Sequence, residues 1–474
     1  MYKFFKMTAL CAALAAAGAA GAATITLDGT SLSIEDAWKI AAGEADVAIA
    51  PEAVRLLEDS HKLVMASAAK GQAVYGLTVG VGLNKDQKLF TADGKLSPEV
   101  LEASRAFNYN ALRSHSAGVG EMMPVDLARL SMVVRLNTLL AGKSGAQVRV
   151  AELYRDMLNK NVTPLIPSEG SVGEADILLA SHVGAVMIGE WKADVKGKVM
   201  TGADALKAAG IKPLQPEGKD ALAILSNNSV AMAYAIDAAR NAERIVEMTP
   251  TVYGLSLEGL NGNVAPILNA DEAYRSESTQ VANYFVEDNG VKGAIIPSGN
   301  FNPLPVALAL QRTSIAMAHL SHYSVQRTVH LSYDQFTGLT RFLTDPSNKG
   351  HAFGAIQKSF MGLHVDNMAL AQPVSLYGMP VAGEIEDTFT NLLQASKRLG
   401  SIDTNLYQIY SVEMLHAAQA VDLRRNLKNK DLKLADKTGA FYTAYRAKVP
   451  YVKADRIFTD DIRAGVDLLK NYRF

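Results

Sequence analysis

The sequence predicts an all-α protein built around long helices. Apolar residues recur with the 3.6-residue helical period over residues 125–140, 221–246, 306–329, 385–409 and 412–427. No Pro- and Ser-rich linker, low-complexity tract or tandem repeat separates these stretches. With 474 residues, of which 49% are hydrophobic and 20% charged, the chain can bury a large core. The simplest prediction is one helical domain over residues 24–474.

Residues 1–22 have the pattern of a secretory signal peptide. Lys3 and Lys6 precede an apolar run, and Ala20-Gly21-Ala22 offers a cleavage site of small residues. A short buried N-terminal helix is the less favoured interpretation. The only cysteine, Cys11, falls inside this segment, so the exported chain would contain neither a thiol nor a disulfide. The sequence therefore predicts a periplasmic or secreted protein.

The net charge of −1 gives no electrostatic reason to expect nucleic acid or an anionic membrane as a partner. No apolar run after residue 22 reaches the roughly 18 to 20 uncharged residues that a membrane span requires. The expected partner is a small-molecule substrate.

A small mixed α/β portion is predicted before the long helices. Residues 24–30 alternate between apolar and polar side chains and end at a turn signal, which predicts a strand pair ahead of the first helix. Ser33 and Asp36 then form a capping-box pattern that opens this helix, and residues 53–70 continue with helical spacing.

The stretch Gly170-Ser171-Val172-Gly173-Glu174-Ala175-Asp176 is the most informative part of the chain. Its glycines and its acidic end, followed by apolar residues at helical spacing over 177–190, are typical of a turn that opens a buried helix. Composition alone indicates nothing beyond that structural role.

Several motifs give this stretch a further meaning, because in order and spacing they resemble the histidine and phenylalanine ammonia-lyases. They include Asn110-Ala111-Leu112-Arg113-Ser114-His115, Arg135-Leu136-Asn137, Gly142-Lys143-Ser144-Gly145, Tyr75-Gly76-Leu77-Thr78-Val79-Gly80-Val81-Gly82, Ser298-Gly299-Asn300-Phe301, Glu384-Ile385-Glu386-Asp387 and Asp422-Leu423-Arg424. The resemblance covers nearly the whole chain after residue 22. It implies a long central helical bundle of the fumarase/aspartase-like type and a homotetramer whose active sites combine residues of three subunits.

The resemblance also implies catalytic roles for three residues. Tyr75 matches the family's proposed base, while His115 and Glu386 match its active-site histidine and glutamate. Each residue also has a purely structural interpretation. Tyr75 could belong to a tight loop, His115 could be hydrogen-bonded within its own turn, and Glu386 could lie at the solvated start of a helix. The imidazole of histidine, with a reference pKa of about 6.5, is a group suited to proton transfer.

Substrate binding is assigned in the same way to Asn227, Asn228, Phe301 and Gly82. The asparagine assignment has two registers, because the family's asparagine aligns with Ser226 or with Asn227. Phe301 could equally be a core residue, and Gly82 could serve only to let its loop fold back.

The chain departs from the family where the family makes its electrophile. The family forms a methylidene-imidazolone ring from its own Ala-Ser-Gly, which requires a dehydratable hydroxyl followed by an unhindered glycine. Here the corresponding residues are Glu174, Ala175 and Asp176, with one residue fewer before His182. The nearest hydroxyl, on Ser171, precedes the branched Val172. The sequence predicts that the ring is absent and that the protein has no cofactor.

A second departure concerns the substrate's carboxylate. The family's Gln-Asp-x-Tyr-Ser-x-Arg motif, whose arginine binds this group, is not found in the chain, and Ile385 replaces the family's glutamine.

Together these features favour a ring-independent lyase that catalyses an elimination, a hydration or an isomerisation of a small aromatic or conjugated substrate. A non-catalytic binding protein on the same fold is the first alternative, and a conventional histidine or aromatic amino acid ammonia-lyase is the second. Metal binding is not predicted, because His319 and His322 lack the partners of known metal signatures.

Overall fold

The computed structural model describes residues 23–70, 72–81, 98–262, 287–288, 291–292, 302–348, 352–381, 383–384 and 388–474. For residues 98–101, 287–288 and 291–292 only the backbone is described. The predicted signal peptide, Gly82, Phe301 and Glu386 lie outside the described residues. None of the described helices is long and apolar enough to cross a membrane.

The chain forms two compact units. The first, here called the N-terminal unit, comprises Met1–Ala233, Phe285–Asn302 and Met379–Thr388; the second, the bundle unit, comprises Tyr234–Tyr284, Pro303–Gly378 and Phe389–Phe474. Each is described separately below.

The N-terminal unit combines helices with short strands. In chain order its elements are β1 (Ala23–Leu27), α1 (Ile34–Ala41), β2 (Ala45–Ile49), α2 (Pro51–Ala69), α3 (Pro98–His115), β3 (Val119–Met122), α4 (Val125–Leu140), α5 (Val148–Asn159), β4 (Val162–Pro164), β5 (Pro167–Glu169), α6 (Ile177–Met187), β6 (Lys192–Val195), β7 (Lys198–Thr201), α7 (Gly202–Ala208), α8 (Asp220–Leu225), β8 (Glu287–Asp288) and β9 (Val291–Lys292). Its core is centred on α4, which is buried on almost every side.

The mixed α/β start of the chain is confirmed, although its topology differs from the prediction. The strand β1 pairs in parallel with β2, from Ala23 opposite Ala45 to Leu27 opposite Ile49. Parallel strands need a crossover, and α1 provides it, so the strand pair encloses the first helix instead of preceding it. The side chain of Ser33 caps α1 by accepting the Asp36 N–H at 3.0 Å, as the capping pattern predicts.

Long helices make up the bundle unit. After the start of α9 (Ser229–Leu260), whose first turn belongs to the N-terminal unit, come α10 (Leu304–Leu331), α11 (Asp334–Thr337), a 3-10 turn (Arg341–Leu343), α12 (Gln357–Leu370), α13 (Leu392–Leu427), α14 (Asp436–Arg446) and α15 (Thr459–Asn471). The predicted helices over 385–409 and 412–427 are one helix, α13, which begins only at Leu392. At about 1.5 Å per residue its 36 residues extend for roughly 54 Å, and α10, α12 and α15 pack against it.

One buried carboxylate joins three helices of the bundle. Glu413 of α13 accepts hydrogen bonds from the hydroxyl groups of Ser256 in α9 and Ser324 in α10, and it forms an ion pair with Arg327 at 2.6 Å. The carboxylate of Glu413 is fully buried, and it is tolerated there because these hydrogen bonds and the ion pair provide partners for both of its oxygens. The described chain is thus mostly α-helical with few strands, which confirms the predicted fold class.

Candidate functional site

The short helix α8 contacts several of the segments that carry predicted site residues of the N-terminal unit. The helix is almost entirely buried, and α3, which ends at His115, and α6, which follows Asp176, both pack against it. On α3, Asn108 accepts the Ala221 N–H at 2.8 Å and donates to the Gly218 carbonyl at 3.1 Å. These bonds fix the start of α8 relative to the helix that carries His115.

The loop of Tyr75 contacts the same short helix. Gly76 has φ +73°, a conformation that favours glycine, and a Cβ at this position would lie 2.9 Å from Leu222 Cδ2 in α8. The loop is closed by the Gly76 N–H, which donates to the Val79 carbonyl at 3.0 Å, and by the Thr78 hydroxyl, which accepts the Val74 N–H at 2.7 Å. The Tyr75 side chain is exposed on the single chain.

His115 is the last residue of α3 and is held by that helix. Its Nδ1 lies 2.8 Å from the Ala111 carbonyl oxygen, one helical turn earlier. A carbonyl can only accept, so Nδ1 carries the proton in this contact and Nε2 of the neutral ring is the acceptor. In this tautomer Nε2 is the ring nitrogen that could accept a hydrogen bond from a ligand.

The loop over residues 170–176 is fixed at both ends. Gly170, at φ +140°, packs against Gly118, which follows the His115 turn, and a Cβ on Gly170 would lie 3.4 Å from the Gly118 Cα. At the other end the Asp176 N–H donates to the Asn227 carbonyl at 2.7 Å. Between these points Glu174 Oε1 accepts the Thr388 N–H at 2.9 Å. Ala175 is half-buried beside it.

Asp176 is hydrogen-bonded both to the turn that contains Asn227 and to the helix that follows this turn. In addition to its backbone bond to Asn227, its Oδ2 accepts the N–H of Ala231 in the first turn of α9 at 2.8 Å. Burial raises the pKa of this carboxyl to about 6, and the Ala231 N–H and the Ser171 hydroxyl act in the opposite direction. Within the described part of the chain, Oδ1 of Asp176 is buried without a hydrogen-bond partner.

The two asparagines lie between α8 and α9. The predicted helix over 221–246 is broken here, where Asn227 Oδ1 accepts the Ser229 N–H at 2.9 Å in an Asx turn that precedes the second helix. Asn227 Nδ2 donates to the Ile224 carbonyl at 2.7 Å. Asn228 follows in the same turn, and its carbonyl accepts the Met232 N–H at 2.9 Å. The amide of Asn227 therefore stabilises the turn, and the assigned substrate contact remains a prediction.

Arg135, whose supporting role the sequence did not indicate, fixes the other end of α8. It is 9% exposed and donates from Nη2 to the Ala223 carbonyl and from Nη1 to Thr138 at 3.2 Å. Burial lowers its pKa to about 10.

The helix break between α8 and α9 had a signal in the sequence. Residues 226–229, Ser-Asn-Asn-Ser, are all of types that favour helix N-termini and so could have revealed it. The residues that hydrogen-bond to this turn come from distant segments and could not be read from the local sequence.

The Tyr75 loop, the helix α3 that ends at His115 and the helix α6 that follows Asp176 thus each contact α8. That their side chains form one site stays a prediction. Separately, a cavity of about 570 Å³ lies next to α1 and α4, lined among others by Asp126, Arg129, Asn161, Asp194 and Lys196. The Arg129 guanidinium in this cavity already donates to the carbonyls of Ile40, Ala41 and Leu158 at helix ends. Among the residues with a described environment, no group of three or more His, Cys, Asp or Glu side chains is placed to hold a metal ion.

We expect the capping by Asp176 to be measurable in the stability of the protein. Asp176→Asn keeps an oxygen acceptor for the Ala231 N–H, whereas Asp176→Ala removes it. The alanine variant should therefore have a free energy of unfolding about 1 to 2 kcal/mol below that of the asparagine variant in denaturant titrations. Neither variant ionises at this position, so the comparison is independent of pH. Equal stability of the two variants would contradict the capping role.

Comparisons with known proteins place these residues in context. The chain matches the sequence profile described as "Aromatic amino acid lyase" over residues 32–284 and 280–447. It is 28% identical to a histidine ammonia-lyase from Treponema denticola, covering 94% of this chain and 97% of that enzyme. Among solved structures it is similar to the ergothioneine-degrading enzyme ergothionase from Treponema denticola, solved with desmethyl-ergothioneine sulfonic acid, with a TM-score of 0.82, 30% identity, and coverage of 94% and 98%. A histidine ammonia-lyase from Trypanosoma cruzi shares the fold, with a TM-score of 0.81, 21% identity, and coverage of 94% and 93%.

Proposed function

This chain belongs to the aromatic amino acid lyase family, and we propose that it catalyses an elimination without the family's self-made electrophile. The family consists of carbon–nitrogen lyases, so the expectation of a lyase is confirmed. The finer proposal depends on one observation, the replacement of the Ala-Ser-Gly sequence by Glu174, Ala175 and Asp176.

The residues at this position do not fit the ring. None of Glu174, Ala175 and Asp176 has a hydroxyl that could be lost as water, and no glycine follows them directly. The nearest hydroxyl, on Ser171, accepts the Gly173 N–H at 3.2 Å within the loop. Asp176, at the site of the shortening, is fixed to Asn227 and Ala231 by hydrogen bonds. These features support a mechanism that uses only the side chains present.

Without the ring, the substrate must itself provide an acidic proton or a ready leaving group. A tyrosine cannot remove a non-acidic benzylic proton at a useful rate, since nothing supplies the required activation. We therefore propose a substrate whose proton is acidified by a carbonyl or a conjugated ring. Tyr75 acts as the base, and His115 exchanges a proton through Nε2, with Glu386 as a further acid. Ergothioneine, the compound named for the similar ergothionase, is the first substrate to test.

Intact-mass spectrometry of the exported protein tests both the missing ring and the signal peptide. We expect a chain that begins at Ala23 or Thr24 and has its unmodified mass. Formation of the family's ring removes two waters, so a species lighter by about 36 Da would show a covalent modification and a conventional ammonia-lyase. A soluble protein that retains Met1 would contradict export to the periplasm.

We also propose that the protein is a homotetramer, as the family resemblance implies. On the single chain, the bundle unit exposes large apolar side chains along two adjacent helices, among them Leu308, Ile315 and Tyr323 of α10 and Val365 and Met368 of α12. Surfaces of this kind are typical of interaction sites. Light scattering should give about four times the chain mass, whereas a monomer at micromolar concentration would contradict sites shared between subunits.

A further inference from the structure

Two histidines from different helices of the bundle unit lie next to each other. His322 belongs to α10 and His364 to α12, and these two helices pack together. The centres of the two imidazole rings are 5.4 Å apart, and the ring planes are inclined by 47°. The sequence suggested only His319, three positions before His322, as a companion. The fold instead supplies a histidine from the neighbouring helix.

The ring of His364 is held in one orientation and one tautomer by Ser321. The Ser321 hydroxyl lies 2.7 Å from His364 Nδ1, and it donates its only proton to the Ala318 carbonyl at 3.0 Å. Towards the ring this hydroxyl can only accept, so Nδ1 carries the proton and Nε2 presents a lone pair. Within the described residues Nε2 has no hydrogen-bond partner. Histidines that bind metals typically have this arrangement, with one nitrogen oriented by a polar partner and the other facing the ion.

His322 is the more exposed of the two side chains. Its ring packs edge-on against Tyr323, with the ring centres 5.7 Å apart and the planes at 69°. Among the described residues it takes part in neither a hydrogen bond nor an ion pair. Burial, together with the nearby His322, lowers the pKa of His364, which favours the neutral imidazole that a metal ion requires. Both rings can therefore offer a nitrogen lone pair to a ligand.

We propose that His322 and His364 bind a transition-metal ion of the zinc class between α10 and α12. In a tetrahedral site, Zn–N bonds of about 2.0 to 2.1 Å place the centres of two imidazole rings about 5.2 Å apart. The observed spacing of 5.4 Å is close to this value. Imidazole nitrogens suit zinc, copper and nickel, whereas magnesium and calcium prefer oxygen ligands. In the described part of the chain no third His, Cys, Asp or Glu is placed to join the pair, so water completes the coordination.

The proposed metal site is independent of the lyase reaction. Both ligands come from one chain and from the bundle unit, and neither belongs to the predicted catalytic residues. An ion bound by both histidines connects α10 to α12 in the folded chain only, so it should stabilise the fold. Zinc should therefore raise the temperature of thermal unfolding, whereas magnesium should not.

Calorimetric titration of the protein, prepared without a histidine tag, tests the site directly. We expect ZnCl2 to bind at about one ion per chain with a dissociation constant below about 100 µM at pH 7.5, and MgCl2 to give no saturable binding. His322→Gln and His364→Gln should each weaken zinc binding at least about 10-fold, because loss of even an outer partner of a metal ligand costs that much. Ser321→Ala keeps both ligands and should cost about 10-fold through the lost orientation of His364.

His319→Gln is the matched control, because it removes an exposed histidine from the same helix and leaves the pair intact. Its zinc affinity should equal that of the wild-type protein. Unchanged affinity in His322→Gln or His364→Gln, or a loss of binding in His319→Gln, would show that zinc binds elsewhere and would overturn the proposal. Electron paramagnetic resonance of the Cu²⁺-loaded wild-type protein should show two imidazole nitrogens on the ion. No saturable zinc binding by the wild-type protein would refute the site, whether or not the variants fold.

Discussion

Replacing Tyr75 by phenylalanine is expected to slow turnover by about 10² to 10⁴-fold, the usual cost of losing a general base. The substitution keeps the ring and removes only the phenolic oxygen. The loop should keep its shape, because it is closed by the Gly76 N–H to Val79 bond and by the Thr78 hydroxyl, which donates to the Gln72 carbonyl at 2.9 Å. Substrate binding should therefore change little, and the loss should appear in kcat. Turnover of ergothioneine by the two proteins is the measurement.

Tyr109→Phe is the matched control for this experiment. The hydroxyl of Tyr109, on α3 of the same unit, donates to Gln215 Oε1 over a long 3.4 Å contact, so removing that oxygen should leave turnover unchanged. Unchanged turnover in Tyr75→Phe would exclude Tyr75 from the mechanism. A ligand that the wild-type protein binds tightly but never converts would instead favour the alternative of a binding protein on the lyase fold.

The largest expected effect on stability concerns Asp403 in α13. This side chain is 2% exposed, and neither of its oxygens has a hydrogen-bond partner within the described residues. Burial, together with the nearby Asp237 of α9, raises its pKa from 3.8 to about 8. Because each pKa unit corresponds to about 1.4 kcal/mol, ionised Asp403 costs at most about 6 kcal/mol.

The sign of the pH dependence follows from proton binding. Between pH 4 and 8 the unfolded chain loses the Asp403 proton while the folded chain keeps it, so this group makes stability fall as pH rises through that window. Above pH 8 Asp403 is ionised in the folded chain as well, so the full free-energy cost of its buried charge remains. Asp403→Asn has no proton to lose, and we expect it to be more stable than the wild-type protein at pH 8 and above, with the difference shrinking towards pH 4. Denaturant unfolding across this range is the measurement.

A buried histidine changes the pH dependence of stability in the opposite direction. The wild-type pH profile alone therefore does not isolate Asp403, and a comparison between variants is necessary. Burial lowers the pKa of His416, also in α13, to about 4. Between pH 4 and 6.5 the unfolded chain therefore binds the additional proton, and this group makes stability rise with pH. The difference between Asp403→Asn and wild type isolates Asp403. The exposed Asp467→Asn serves as the control, and a wild-type pH profile in Asp403→Asn would contradict the assignment.

Hydrophobic periodicity predicted the long helices well, because burial in a bundle requires that pattern directly. The predicted span of α4 coincides with the observed Val125–Leu140, and α10 differs by only two residues at each end. Periodicity did not predict helix boundaries that are set by polar capping or by chain geometry. It ran through the break before Ser229 and ended the next helix near residue 246, whereas α9 continues through Pro250 to Leu260. A proline removes one N–H but does not end a helix that packing stabilises.

The candidate site could be predicted only in part. Motif order predicted roles for Tyr75, His115 and the loop over residues 170–176. The Tyr75 loop and the helices next to the other two contact α8, whereas the roles themselves stay predictions. The supporting residues were not foreseen, because their contacts join segments far apart in the chain. Asp176 reaches Ala231 across 55 positions and Arg135 reaches Ala223 across 88. Local sequence patterns do not encode such pairings, which arise once α3 and α6 pack against α8.

The double attachment of Asp176 limits how the family's Ala-Ser-Gly sequence could be introduced into this loop. Introducing it with the family's spacing to His182 takes substitutions within Glu174, Ala175 and Asp176 and one inserted residue. Because Asp176 is bound to Asn227 through its backbone and to Ala231 through its side chain, the extra residue cannot be absorbed downstream. It would have to bulge between Gly173 and Asp176 and displace the segment that Thr388 now holds. Point substitutions alone therefore do not introduce the ring-forming sequence, and a directed-evolution route to it would have to include an insertion library at this loop.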